Sequence, residues 1–128
     1  LSQRSRSTVS CVGGQISSST LSLSGPQAEA FLATVNIDTA VLAATGYSAG
    51  AGFTVGSYTE NSLKRRVIQK ADKVILLIDR SKLGRTLPFT FASLSDIDVV
   101  ICDAPLPEDF IQAARAAGTE VLQVQPAK

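Results

Sequence analysis

The chain contains no histidine, no methionine and no tryptophan. Without histidine, catalysis by a Ser-His-Asp or Cys-His pair is excluded, and so is a histidine-ligated zinc site. Charge of one sign is also lacking. Twelve Lys and Arg face eleven Asp and Glu, for a net charge of +1, far from the field of a dedicated DNA- or RNA-binding surface. No aromatic residue interleaves with the basic run Lys64-Arg65-Arg66, which reads as a solvated helix face rather than a nucleic-acid stripe. No apolar run reaches the roughly 18 residues of a membrane span, and no signal peptide opens the chain. Leu1 is not a residue before which an initiator methionine is usually removed, so the chain is expected to be a piece of a longer protein.

What is present suits one domain. The chain has 128 residues, 45% of them hydrophobic, which excludes a disordered polymer and fits a single core. Its two cysteines, Cys11 and Cys102, sit far apart inside apolar stretches. They are expected to be reduced thiols serving as small core residues.

Residues 1–7 are polar and read as a connector, with a domain over 8–128. Thr8 to Val12 is β-rich and runs into Gly13-Gly14, as a strand running into a tight loop would. Gln15 to Ser24 reads as a partly exposed strand or extended loop. Pro26 opens a helix with Ala28, Phe31, Leu32 and Val35 on one stripe. Ile37 to Ala44 is a nearly continuous apolar run, the pattern of a strand covered on both faces. Gly46, Gly50, Gly52 and Gly56 make residues 45–57 a flexible loop. Tyr58 to Asp72 returns to helical spacing, and Lys73 to Asp79 is the clearest buried strand. A further strand ends at Cys102-Asp103, a helix spans Pro107 to Ala117, and a last strand follows from Thr119 to Val124. This alternation predicts an α/β domain of three layers, Rossmann-like, with a mainly parallel sheet and helices on both faces.

In open parallel sheets, ligands bind at the carboxyl ends of strands. Those ends carry Gly13-Gly14, the loop from Gly46, the cluster Asp79-x-Ser81-Lys82, and Asp103. Glycine, hydroxyl, acid and lysine suit a small, hydroxylated, anionic ligand. Neither nucleotide-binding glycine spacing is present.

Together, Gly13-Gly14, the run D-T-A-V-L-A-A-T-G from Asp38 to Gly46, Glu60-x-x-x-Lys64-Arg65, D-R-S-K-L-G from Asp79 to Gly84, and D-I-D-V-V-I-C-D from Asp96 to Asp103 resemble the C-terminal sensor domain of DeoR-family transcriptional regulators. The resemblance runs from about Thr8 to Val124. It implies the effector-sensing part of a bacterial, cytoplasmic repressor of sugar metabolism. An N-terminal helix-turn-helix, absent from this chain, binds operator DNA in such proteins. The sensor binds a phosphorylated sugar, and the regulator is expected to be a homo-oligomer. The first part of the sensor, with its early phosphate-binding turns, is expected to precede Leu1.

The family is similar in fold to ribose-5-phosphate isomerase, and a sugar-phosphate isomerase or deaminase is therefore the alternative. Against it, the position of the isomerases' catalytic glutamate is Lys64 here, and residues 45–58 lack the lysine of their lysine-glycine run. The domain is therefore expected not to be an enzyme, with no cofactor, metal or catalytic residue. Ligand binding is expected at Gly13, Gly14, Gly46, Glu60, Lys64, Asp79, Ser81 and Lys82. An oligomerisation module with a degenerate pocket is a third reading.

Overall fold

The computed structural model describes residues 6–125. Residues 1–5 of the expected connector lie outside the described residues. The elements are β1 (Gln15–Ile16), β2 (Leu23–Ser24), α1 (Pro26–Leu32), β3 (Ile37–Ala43), β4 (Gly46–Ser48), β5 (Gly52–Val55), α2 (Tyr58–Lys70), β6 (Ala71–Ile78), β7 (Phe89–Ala92), β8 (Val99–Asp103), α3 (Glu108–Ala117) and β9 (Glu120–Val124).

The expected parallel sheet is there, in the order β3-β6-β8-β9. Its pairings align Val41 with Ile75, Leu77 with Ile101, and Ile101 with Leu122. Asp98, just before β8, has a structural role: its carboxylate accepts from the Val74 N–H at 2.7 Å. Gly118 ends α3 at φ +79°, a left-handed conformation that glycine adopts without a Cβ penalty.

The sheets are mixed rather than parallel throughout. The segment 45–57, expected to be a flexible loop, folds into the hairpin β4-β5, and β7 adds a third antiparallel strand. The glycines there serve close packing rather than mobility. A Cβ on Gly46 would lie 2.6 Å from the Arg85 carbonyl oxygen, and one on Gly52 would lie 2.5 Å from that of Ala92. The strand expected over Thr8 to Val12 is not formed; these residues find no ladder partner among the described residues. The chain instead pairs β1 with β2 just beyond Gly13-Gly14, which stand at φ +75° and +98°.

The core lies on one face of the parallel sheet. Val74, Leu76, Ile78, Val100 and Cys102 pack there against Phe53, Val55, Phe91 and Phe110. Tyr47 meets Phe53 and Phe110 with ring centroids 4.8 and 5.0 Å apart, within the favoured range for aromatic pairs. The side chains of the other face alternate outward. Val41, Leu77, Leu122 and Val124 remain 59, 42, 44 and 48% exposed. The pattern of Ile37 to Ala44 predicts cover on both faces, and the described residues leave this face open.

The cysteines divide. Cys102 is in the core as expected, but Cys11 is exposed, because the strand that would have carried it inward does not form. Burial and the neighbouring Asp103 push the Cys102 thiol up to about 11. A thiolate-directed reagent at neutral pH is therefore expected to label Cys11 in the folded chain and Cys102 only after denaturation. Mass spectrometry of the labelled chain reads this directly, and labelling of native Cys102 would contradict the packing.

Candidate functional site

The site is built where β3 ends. The short side chains of Ala43, the last residue of β3, and of Ala44 just after it leave room at the strand's carboxyl end. Helix α2 and the β1-β2 ribbon wall a cleft of about 290 Å³ beside them. From α2 come Glu60 and Lys64, one helical turn apart, and from the ribbon come Thr20 and Ser22.

The Lys64 ammonium donates to the Ala43 carbonyl at 2.8 Å and lies 5.5 Å from the Phe91 ring centroid. No carboxylate pairs with it: the ion pairs among the described residues are Arg66–Glu29 and Arg80–Asp103. Burial lowers the Lys64 pKa, and the field of Glu60 offsets part of that. Glu60 is engaged elsewhere. Its Oε1 accepts from the Thr20 and Ser22 hydroxyls, both at 2.8 Å. A partly buried cation with a carbonyl but no counter-ion beside it is poised to take an anion.

A second cleft, of about 460 Å³, lies across the carboxyl ends of the parallel strands. Asp79, Lys82 and Asp103 line it together with Ala43 and Ala44. Asp79 caps the 3₁₀ turn Arg80–Lys82, accepting from the Ser81 N–H at 2.9 Å and from the Ser81 hydroxyl. That turn aims Lys82 into the cleft and leaves the Ser81 hydroxyl committed to Asp79. Asp103 accepts from the Arg80 N–H at 2.7 Å, and this bond, above all, holds its carboxyl below the usual carboxylate range.

The structure thus places Glu60 and Lys64 in the first cleft, and Asp79 and Lys82 in the second. Ser81 orders the turn behind Lys82. The expected glycines line neither cleft. Gly46 faces the Arg85 carbonyl, and Gly14 borders a separate cavity beside Ser24 and Gly25, next to Gly13 in the turn. Sequence reasoning missed Thr20, Ser22 and Ala43 as lining residues. The only signal for the first two was the Ser/Thr-rich run from Ser17 to Ser24, which reads equally well as a loop. Among the described residues no group of His, Cys, Asp and Glu could hold a metal ion, and no helix is long and apolar enough to cross a membrane.

Clefts lined by lysine, acid and hydroxyl at the carboxyl ends of parallel strands stand where open α/β sheets carry their ligand sites. The model of the DeoR C terminal sensor domain matches residues 1–104, and the chain belongs to that family. It is 36% identical over 114 residues to the HTH-type transcriptional regulator GlpR of Haloferax volcanii, covering 89% of this chain and 45% of that protein. It is 30% identical over 122 residues to the HTH-type transcriptional repressor GlcR of Bacillus subtilis, covering 95% and 47%. It is 29% identical over 100 residues to the glycerol-3-phosphate regulon repressor of Escherichia coli, covering 78% and 40%. The chain spans about half the length of these relatives or less.

Proposed function

We propose that residues 8–128 are the effector-sensing unit of a cytoplasmic, homo-oligomeric transcriptional repressor of sugar metabolism. The unit binds a phosphorylated sugar and thereby controls operator binding by an N-terminal helix-turn-helix. The observation that carries this reading is Lys64: a half-buried ammonium in a hydroxyl-lined cleft with no carboxylate at ion-pair distance. A phosphate satisfies it. The Thr20 and Ser22 hydroxyls give their protons to Glu60 and offer acceptor oxygens to hydroxyls of the ligand. The family and the names of the relatives, all regulators or repressors, support the same reading.

Turnover is not part of it. The acid of the first cleft is held by two hydroxyls, and its cation carries no proton acceptor for enediol chemistry. The reading also includes the layer missing over the open sheet face. Parallel sheets are stable with both faces covered. The remainder of the regulator would lay helices over Val41, Leu77 and Leu122 and complete a three-layer, Rossmann-like domain.

The test is a thermal-shift screen of the full-length protein against sugars and their phosphate esters, followed by operator release in a gel-shift assay. A ligand at 100 times its Kd is expected to add about 2.7 kcal/mol of stability. The phosphate ester that does so should release the operator while the free sugar does not. Stabilisation by free sugars alone would overturn the reading.

A further inference from the structure

A third cavity, of about 380 Å³, shares no lining residue with either cleft. It opens where the end of β4, the Leu83-Gly84 segment and the start of α3 meet. Its buried lining residues, Tyr47 and Phe110, belong to the core, and no residue of the open sheet face lines it. The volume lies within the roughly 300–1,000 Å³ of ligand sites.

Two observations point to an occupant. The first is the Tyr47 hydroxyl. Tyr47 is 7% exposed, and no hydrogen bond among the described residues engages its hydroxyl, although a buried tyrosine usually finds a partner. Among the described residues, Asn61 Oδ1 is the one buried side-chain oxygen or nitrogen sealed without a partner. The Tyr47 hydroxyl is therefore not sealed in, and opens on the cavity that the residue lines. Burial and then the field of Asp109 raise its pKa, so the phenol stays protonated at neutral pH.

The second observation is the charge. Asp109 is the one charged residue lining the cavity, and it is exposed, at the mouth. Its Oδ1 accepts from the Phe110 N–H at 2.9 Å, and its Oδ2 has no partner among the described residues. With no lysine or arginine in the lining, an anion is repelled and a cation attracted. The positive end of α3 does not reverse this, because Glu108 and Asp109 already answer it in the first turn. Aromatic rings beside a carboxylate favour an ammonium, and Leu83 and Ala113 can bury hydrocarbon attached to it.

We propose that this cavity is a second ligand site, for a small organic ammonium ion with an apolar body. The ammonium meets the Asp109 carboxylate and the Tyr47 hydroxyl, and the apolar body rests on Phe110, Leu83 and Ala113. Its charge preference is opposite to that of the Lys64 cleft, so the two sites do not compete for one ligand.

Two-dimensional NMR titration of the full-length protein with phenethylammonium, 2-phenylethanol and 3-phenylpropanoate tests it. The three probes share a phenyl body and differ in charge. Phenethylammonium is expected to bind saturably, with shifts on residues 47–49, 83–84 and 107–113. It should bind about five- to tenfold more tightly than the alcohol, with the carboxylate weakest. Asp109→Asn keeps the Oδ1 acceptor for the Phe110 N–H. It should erase the cation's advantage and leave the amide spectrum away from the cavity unchanged. Tyr47→Phe keeps the ring and should weaken the cation about threefold or more. Equal affinity for cation and alcohol, an advantage that survives Asp109→Asn, shifts scattered over the surface, or no binding of phenethylammonium each overturns the site.

Discussion

Lys64→Gln is expected to weaken binding of the sugar phosphate by roughly 10- to 150-fold, the about 1.5–3 kcal/mol of a hydrogen bond to a charged group. Glutamine keeps an amide donor for the Ala43 carbonyl while removing the charge. The unliganded protein should respond in the opposite direction. Burial penalises the Lys64 ammonium, so its pKa in the folded chain lies below 10.5. Between that lowered value and 10.5 the unfolded chain binds more protons than the folded one, and stability rises with pH. Lys64→Gln removes that alkaline rise and leaves the neutral-pH melting temperature unchanged or higher. Weaker binding with undiminished stability is the signature of a group held for a ligand. Loss of both together would make Lys64 a structural residue.

The second large effect concerns stability alone. Gly52→Ala is expected to cost about 2–4 kcal/mol, read as a lower urea midpoint. A left-handed φ of +79° costs a side chain roughly 1–2 kcal/mol. The new Cβ would also sit 2.5 Å from the Ala92 carbonyl oxygen, forcing β5 away from the end of β7. Two further glycines separate the causes. Gly84 has φ +83° and nothing within 4 Å of its built Cβ, so Gly84→Ala should show the backbone term alone. Gly50 has neither a positive φ nor a close neighbour, so Gly50→Ala should change little. If Gly52→Ala costs no more than Gly84→Ala, the hairpin does not pack as described.

These glycines mark where sequence reasoning stopped. Lys73 to Asp79 is legible as a buried strand because it is long, apolar and bounded by charge. Helix α3 is legible from Phe110, Ala114 and Gly118. The parallel order follows from the alternation of such elements. Glycine density in 45–57 predicts mobility, yet a glycine that admits a neighbouring carbonyl and one that only loosens the chain look the same in sequence. The strand Phe89–Ala92 went unread for a related reason. It is short, and its partner β5 lay inside the presumed loop. Thr8 to Val12 shows the reverse error: β-branched residues do not make a strand without a neighbour to pair with.

For the site, the chemistry-bearing ends were visible. Glu60, Lys64, Asp79 and Lys82 could be named because strand exits and first helical turns are where such groups gather. What could not be read was the partition. Lys64 and Lys82 serve adjoining clefts on either side of the β3 end, a separation set by tertiary packing of α2 against the sheet. Nor could the contribution of Thr20 and Ser22, which depends on a ribbon folding back to place two hydroxyls on Glu60.

Amide chemical-shift mapping by two-dimensional NMR, during titration with the sugar phosphate that stabilises the protein, tests the central claim most directly. The account predicts saturable shifts concentrated on residues 20–22, 43–45, 60–64 and 79–82, lost in Lys64→Gln. Shifts concentrated instead on the cavity between Tyr47, Gly84 and Phe110, or unaffected by Lys64→Gln, would contradict it.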